Sequence, residues 1–337
     1  MLTPPAIDAA LITESEHPAL QAWSRLGPCR VAPSAIESLK DKTKSAVFRL
    51  AGVGPNGEAV IAKRCLARTA SSERIIYEEV LPALAVPSLR CLGFAPDSCA
   101  EYQWLFLEDA GGQEYSPRNE AHRALASRWL AAVHSADLDG TVTARLPDRG
   151  AGHYLDLAQS SRATALEHMA NPAMNEDDLA VLQSIASLCE CVEAHWNEVE
   201  AFYRAIPRTL VHGDLVVKNV RIRNSPTGPA LLIFDWENSG WGIPAADLAQ
   251  FTGRTLSPDL AIYSDSAVLP GRVGRLTDLD LRRLAEYGRV CRLLDDINWA
   301  RSVLVFKTPD WVAKPMSYLK SYQGRMAEAL RLLGWAA

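Results

Sequence analysis

The chain has 337 residues, of which 48% are hydrophobic and 22% are charged. This composition is typical of a packed globular protein and excludes an extensively disordered chain, a collagen-like repeat and a small disulfide-stapled scaffold. Lys and Arg number 35 against 40 Asp and Glu, and the formal net charge of −5 favours no basic stripe for nucleic acid. We therefore expect a globular chain of two domains or lobes without a nucleic-acid partner.

The cysteines and the N-terminal residues indicate a compartment. Seven cysteines without a Cys-x-x-Cys spacing predict reduced thiols rather than a disulfide framework. Residues 1–20 contain prolines and acidic residues and lack the basic start of a signal peptide. No apolar run has the length needed to cross a bilayer. We expect a soluble, cytoplasmic protein with no membrane partner.

Changes of pattern divide the chain into three segments. Residues 1–39 are predicted to be a helical extension, interrupted by Pro and Gly. Residues 40–112 alternate strand-forming runs with turns and predict a small β-rich lobe, whereas helical periodicity dominates residues 113–337. The sequence thus predicts an α+β fold in which a small β-rich N-terminal lobe precedes a larger, mainly helical C-terminal lobe.

Within these segments the pattern predicts individual elements. Ser71 and Ser72 are candidate caps for a helix over residues 73–84. The predicted strands of the first lobe lie at 45–53, 58–65, 91–94 and 102–107. The later predicted helices are 120–136, 155–169, 177–203 and most of the chain from 245 onward, with short strands only between 208 and 235.

One stretch carries the residue types that phosphoryl transfer needs. Asp214 is followed five residues later by Asn219, and Asp235 stands at the end of the next apolar run. Transfer from ATP needs a carboxylate that receives the hydroxyl proton and oxygen ligands that hold Mg²⁺ on the phosphates. This set therefore predicts a kinase.

The same stretch resembles a known family. His212-Gly213-Asp214, together with Asn219 and Asp235, resembles the catalytic signature of the aminoglycoside phosphotransferase and choline kinase family. The resemblance implies a bilobal protein-kinase-like fold. It further implies that Asp214 is the catalytic base and that Asn219 and Asp235 are ligands of Mg²⁺.

The resemblance extends into the predicted β-rich lobe. Lys63 stands on the second strand of the hairpin, where such kinases place the lysine that binds the α- and β-phosphates of ATP or another nucleoside triphosphate. Glu73 is the implied ion-pair partner of that lysine, in preference to Glu78 or Glu79, because Tyr77 follows it at the spacing seen in the family.

Other nucleotide contacts are implied less directly. The Glu108 carbonyl and the Ala110 amide would meet the adenine edge. No Gly-x-Gly-x-x-Gly loop is present, so Ser45 and nearby amides would have to cradle the phosphates. Lys218 stands where the family has a different residue, and it either reaches the γ-phosphate or braces the loop.

Three further residues match the family but predict structure rather than chemistry. His212 and Asp247 are expected to brace the catalytic loop, and His134 to pack or bond to a loop.

The acceptor site is predicted from residue chemistry alone. Asp295 and Trp299 share a helix face, which would suit a cationic or sugar acceptor, and Glu237 is a second candidate for the pocket wall. An acidic cluster on an ordinary helix explains the first pair equally simply.

The predicted function is ATP- and Mg²⁺-dependent transfer of the γ-phosphate to a hydroxyl of a small molecule, such as a metabolite, amino alcohol, sugar or natural product. One alternative is an antibiotic-resistance kinase for an aminoglycoside or macrolide, although the basic runs at 272–275 and 282–283 do not favour a polycationic acceptor. A nucleotide-binding pseudokinase scaffold without turnover is the alternative of another class. A protein kinase is disfavoured, since no Ala-Pro-Glu segment follows Asp235. The sequence indicates no oligomeric state.

Overall fold

The computed structural model describes residues 17–27, 30–42, 45–226, 228–250, 254–272 and 274–335. The chain divides into two compact units. The first comprises Met1–Glu79 with Leu89–Gly111, and the second comprises Val80–Ser88 with Gly112–Ala337.

The first unit is built on a five-stranded antiparallel sheet with strand order β1–β2–β3–β5–β4. Its elements are α1 (Pro18–Ser24), β1 (Ile36–Lys42), β2 (Ser45–Leu50), β3 (Val60–Leu66), α2 (Ala67–Ile75), β4 (Cys91–Pro96) and β5 (Tyr102–Glu108).

One face of this sheet packs against α1. The ring of Trp23 on α1 lies 5.3 Å from that of Phe106, and Phe48 lies 6.1 Å from Trp104. Ala62 of β3 belongs to the same buried cluster. Because side chains alternate along a strand, Lys63 points to the opposite face of the sheet.

Two sequence predictions in this unit differ from the structure. Ile36–Lys42 is a strand although it lies largely within the predicted helical extension. It is the edge strand, almost all of its residues are exposed, and it therefore lacks the apolar alternation that reveals a strand. Helix α2 begins at Ala67, and the hydroxyls of Ser71 and Ser72 donate back to carbonyls one turn earlier instead of capping it.

The second unit is mainly helical and contains two small sheets, with strand orders β10–β9–β6 and β7–β11–β8. Its helices are α3 (Glu120–His134), α4 (Gly140–Thr143), α5 (Ala151–Glu167), α6 (Glu176–Ala194), α7 (Trp196–Arg204), α8 (Leu260–Ser266), α9 (Asp278–Arg301) and α10 (Pro309–Leu333). Its strands are β6 (Gln113–Glu114), β7 (Asp148–Arg149), β8 (Thr209–Val211), β9 (Val220–Ser225), β10 (Gly228–Ile233) and β11 (Gly240–Gly242).

Helices α5, α6, α9 and α10 form the packed body of this unit. Helix α9 begins at a capping box, in which the Thr277 hydroxyl accepts the Asp280 amide and the Asp280 carboxylate accepts the Thr277 amide. The single helix predicted over 177–203 is two helices, because the backbone at His195 departs from helical geometry. No helix in the described part of the chain is long and apolar enough to span a membrane.

Gly288 allows α9 to pack directly on the backbone of a neighbouring segment. A Cβ atom at this position would overlap the carbonyl oxygen of Ala245. The neighbour is backbone, which cannot rotate away, so the helix itself would have to move.

We expect Gly288→Ala to lower the free energy of unfolding by roughly 3 kcal/mol, although alanine is the better helix former. Gly324 of α10 is the matched control, because a Cβ there meets no atom within 4 Å. Gly324→Ala should stabilise the protein by up to about 1 kcal/mol. Urea unfolding measures the free energy of unfolding of both variants. If both change it equally, Gly288 does not pack against the Ala245 carbonyl as described.

Candidate active site

The segment that carries the predicted catalytic base is a turn between β8 and β9. Strand β8 ends at Val211, and His212, Gly213 and Asp214 follow it. Gly213 adopts a φ of 76°, and a Cβ atom there would overlap the carbonyl oxygen of Asn238. The chain can turn here only because the residue has no side chain.

Asp247 fixes the backbone of this turn. Its two carboxylate oxygens accept the amide hydrogens of His212 at 2.8 Å and Gly213 at 2.9 Å. The imidazole Nε2 of His134 lies 3.3 Å from the same carboxylate. Burial by itself would raise the pKa of Asp247, but the His134 contact and the neighbouring hydrogen bonds outweigh it, so the pKa is lowered. The predicted bracing role of Asp247 is confirmed.

The buried imidazole of His212 is a second brace. Its Nε2 donates to the carbonyl of Phe234 at 3.2 Å, and its Nδ1 accepts the amide hydrogen of Asp214 at 3.2 Å. This pattern requires a neutral ring with the proton on Nε2. Burial lowers the pKa of His212, in agreement with the neutral form. The ring therefore ties the base to the end of β10, as predicted, and does not shuttle protons.

The carboxylate of Asp214 is 9% exposed and has a partner on each side. Its Oδ1 accepts a hydrogen bond from the Arg292 guanidinium at 2.7 Å. Its Oδ2 accepts one from the Asn219 amide at 3.1 Å, and the same amide donates to the Asp214 carbonyl at 3.0 Å. The Lys218 ammonium lies 3.6 Å from Oδ2. The carboxylate of Asp214 is therefore fixed by its neighbours, two of which are cations.

The predicted metal ligands have the chemistry that Mg²⁺ requires. Asn219 uses its amide nitrogen toward Asp214, and its amide oxygen is the atom that would bind a metal. Asp235 follows β10 in a left-handed conformation with φ 70°, which Asp tolerates better than most residues. The Phe234 amide donates to the Asn219 carbonyl at 3.1 Å and links the two segments.

An amide oxygen and a carboxylate are hard donors of the type that magnesium prefers. Among the described residues no three His, Cys, Asp or Glu side chains cluster as a metal site. Two protein ligands fit a Mg²⁺ ion that takes its remaining oxygens from phosphate and water.

In the first unit the predicted lysine and glutamate form a buried ion pair. The Lys63 ammonium lies 3.0 Å from the Glu73 carboxylate, and the two residues are 8% and 0% exposed. Glu78 and Glu79 are exposed, so the structure pairs Lys63 with the glutamate that was preferred from the sequence.

Three other predicted nucleotide residues lie on or just after strands of the same sheet. Ser45 begins β2, and its hydroxyl lies 3.1 Å from the Lys40 ammonium. Residues 43 and 44, which precede Ser45, fall outside the described part of the chain. Glu108 ends β5, and Ala110 is buried two residues later.

The predicted acceptor residues have different surroundings. Asp295 is mostly buried and lies 3.6 Å from Arg292 and 3.7 Å from Arg149. Trp299 is 58% exposed, with its ring 5.6 Å from that of Tyr318. Glu237 is exposed on the turn after Asp235.

Sequence reasoning missed Arg292 and Asp296. Arg292 precedes Asp295 by three residues and Asp296 by four on α9, a spacing that places their side chains on one helix face. That spacing could have been read from the sequence. The contact of Arg292 with the catalytic loop could not, because 78 residues separate it from Asp214.

Asp296 is a partly buried carboxylate among many charges. Burial and the neighbouring carboxylates of Asp214 and Asp295 raise its pKa to about 6, although Arg292 and Arg325 act in the opposite direction. Tyr322 of α10 also faces this group.

This shift predicts a pH-dependent stability. The native state keeps the Asp296 proton up to about pH 6, whereas the unfolded chain loses it near the usual 3.8, so stability falls as the pH rises between these values. Relative to the wild type, Asp296→Asn should therefore gain about 3 kcal/mol of unfolding free energy between pH 3.5 and pH 7.5. Urea unfolding at both pH values measures this, and a pH-independent difference would contradict it.

Comparison with solved structures shows the fold. Aminoglycoside 2'-phosphotransferase IIIa in its GDP complex superposes with a TM-score of 0.61 at 13% identity, covering 90% of this chain and 97% of the other. Spectinomycin phosphotransferase with ADP and spectinomycin gives 0.54 at 10% identity, covering 87% and 92%. Choline kinase from Cryptosporidium parvum Iowa II gives 0.54 at 10% identity, covering 89% and 91%. The predicted α+β, kinase-like fold is confirmed.

A search of curated proteins finds no match. Residues 42–294, about three quarters of the chain, match the family model described as phosphotransferase enzyme family. The match spans the buried Lys63–Glu73 pair and the residues Asp214, Asn219 and Asp235. The chain belongs to the phosphotransferase enzyme family.

Proposed function

We propose that this protein transfers the γ-phosphoryl group of ATP, or of another nucleoside triphosphate, to a hydroxyl of a small molecule. The observation that carries the proposal is the Asp214 carboxylate, held in a braced loop with Asn219 bonded to it at 3.1 Å. A fixed carboxylate of this kind can orient an acceptor hydroxyl and receive its proton as the bond to phosphorus forms.

The other residues supply positioning and charge. Lys63, held by Glu73, binds the α- and β-phosphate oxygens, while Asn219 and Asp235 hold Mg²⁺. A Mg²⁺ ion held by these two residues would offset the charge that develops on the phosphate oxygens. Lys218, whose side chain is 58% exposed, is long enough to offer further positive charge to the γ-phosphate. No covalent intermediate on the protein is required.

The charges around Asp214 favour an acceptor that is not a polycation. Arg292, Arg149 and Lys218 accompany the carboxylates of Asp214, Asp295 and Asp296, so the positive and negative side chains in these ion pairs are equal in number. An aminoglycoside carries several ammonium groups and needs an excess of carboxylates. We therefore place a neutral or singly charged hydroxylated metabolite, sugar or natural product before an aminoglycoside.

Aromatic side chains near this network offer a stacking surface for such an acceptor. Trp299 lies 5.6 Å from Tyr318, and Tyr318 lies 6.4 Å from Tyr322 in a stacked arrangement. Burial, followed by the charge of Asp296, raises the pKa of Tyr322. The six described cysteines are free thiols, which fits the proposed site of action in the cytoplasm.

The test is the release of ADP from ATP, with and without Mg²⁺, in the presence of sugars, amino alcohols, macrolides and aminoglycosides. We expect Mg²⁺-dependent turnover with a neutral or singly charged acceptor, and a kcat about 10² to 10⁴-fold lower in Asp214→Asn. Turnover with aminoglycosides alone would contradict the acceptor class. Binding of ATP without turnover on any acceptor would favour a pseudokinase.

A further inference from the structure

Arg292 is a buried cation that reaches the catalytic loop from α9. The residue is 4% exposed. One nitrogen of its guanidinium donates to the carbonyl oxygen of Gly213, and the other donates to Oδ1 of Asp214 at 2.7 Å. The planar fork of a single side chain therefore binds the backbone and the carboxylate of two consecutive residues.

This double contact restricts Asp214 more than a single bond would. The Gly213 carbonyl fixes the guanidinium plane relative to the loop, and the second nitrogen then fixes Oδ1 relative to that plane. The partner of Oδ1 is buried, whereas Lys218, close to Oδ2, is 58% exposed. Oδ2 accepts the Asn219 amide at 3.1 Å and lies 3.6 Å from the Lys218 ammonium, so Arg292 holds Oδ1 while Oδ2 keeps a lone pair for a further donor.

The surroundings explain why a charge is kept in this position. Burial alone would lower the pKa of Arg292, but the carboxylates of Asp214, Asp295 and Asp296 outweigh it and raise the pKa further. Asp295 and Asp296 each lie 3.6 Å from the guanidinium and hold it from the helix side. Arg292 also follows Gly288 by one helical turn, so the close packing of α9 on residue 245 brings it to the loop.

We propose that Arg292 is a positioning residue for the catalytic base: it locks the Asp214 carboxylate so that Oδ2 faces the acceptor hydroxyl. This inference rests on the proposed function. The chemical step is unchanged, with the hydroxyl proton passing to Asp214 and the acceptor oxygen forming the bond to phosphorus. Arg292 contributes geometry, and it touches neither nucleotide nor acceptor.

The kinetic test uses Arg292→Lys and Arg292→Met with the best acceptor of the panel, and Arg282→Met as control. Arg282 is exposed on the same helix. We expect kcat to fall about 100-fold in Arg292→Met, with KM for MgATP and the dissociation constant for ADP within twofold of the wild type. Arg292→Lys should recover part of kcat, because it keeps the charge but lacks the fork. A kcat that is unchanged, or that falls only in proportion to the folded fraction, would overturn the proposal.

A second measurement does not depend on turnover. Thermal unfolding midpoints of Asp214→Ala, Arg292→Met and the double variant form a cycle. If the pair is formed as described, the double variant shifts the midpoint by less than the sum of the single shifts. Additive shifts would overturn the proposal even if the protein is an active kinase. Coupled shifts without turnover would support the Arg292 lock and reject the proposed function.

Discussion

Asp214→Asn is expected to lower kcat of phosphoryl transfer by about 10² to 10⁴-fold, the contribution of a well-placed general base. Asparagine has the same shape, and its oxygen can still accept the hydrogen bond from Arg292. It cannot receive a proton from the acceptor. The loop should stay in place because its braces, His212 and Asp247, are unaltered.

The measurement is kcat, together with ADP affinity by calorimetry, which should change by less than threefold. Asp278→Asn is the matched control, since Asp278 is an exposed carboxylate in the first turn of α9. It should have wild-type kcat. If Asp214→Asn retains full activity, the acceptor proton goes elsewhere and the role given to Asp214 is wrong.

Asp247→Ala is expected to lower the free energy of unfolding by roughly 4 kcal/mol. The substitution leaves the buried amides of His212 and Gly213 without their acceptor and removes the partner of the His134 Nε2 atom. Each buried unsatisfied donor costs about 1–3 kcal/mol.

The comparison is with Asp265→Ala. The side chain of Asp265 is 81% exposed and forms only a long surface pair with Arg275 at 3.4 Å. Its removal should change stability by no more than about 0.5 kcal/mol. Urea unfolding measures the free energy of unfolding of both variants. If the two variants lose similar amounts, the loop does not depend on Asp247.

The parts of the fold that the sequence predicted are those with local signals. Strand β2 alternates in burial, β3 nearly so, and β5 has a continuous buried run, and all three were predicted, whereas β1 is an exposed edge strand and was not. An edge strand owes its conformation to pairing with β2 rather than to its own apolar pattern.

In the candidate site, too, residues close together in the sequence could be predicted and contacts between distant segments could not. Asp214 and Asn219 are five residues apart, so the sequence already assigned both to one loop, and the structure adds the contact between them. The bracing by Asp247 was inferred from the family resemblance. Arg292 reaches the loop across 78 residues through the packing of α9, and no local pattern encodes such a contact. Asp295 was predicted as an acceptor residue, but a helix pattern could not show its burial beside Arg149.

The close packing at Gly288 has a consequence for how acceptor preference can change during evolution. The inner face of α9 is tied both to the backbone of Ala245 and, one turn later, to the catalytic loop, so mutation there alters folding and chemistry together. Trp299, on the same helix, is mostly exposed, so we expect its substitution to affect neither folding nor the phosphoryl transfer step. Under the proposed function, with Trp299 at the acceptor site, we expect substitutions at exposed positions near the end of α9 and along α10 to change acceptor preference most readily, while the inner face stays the same.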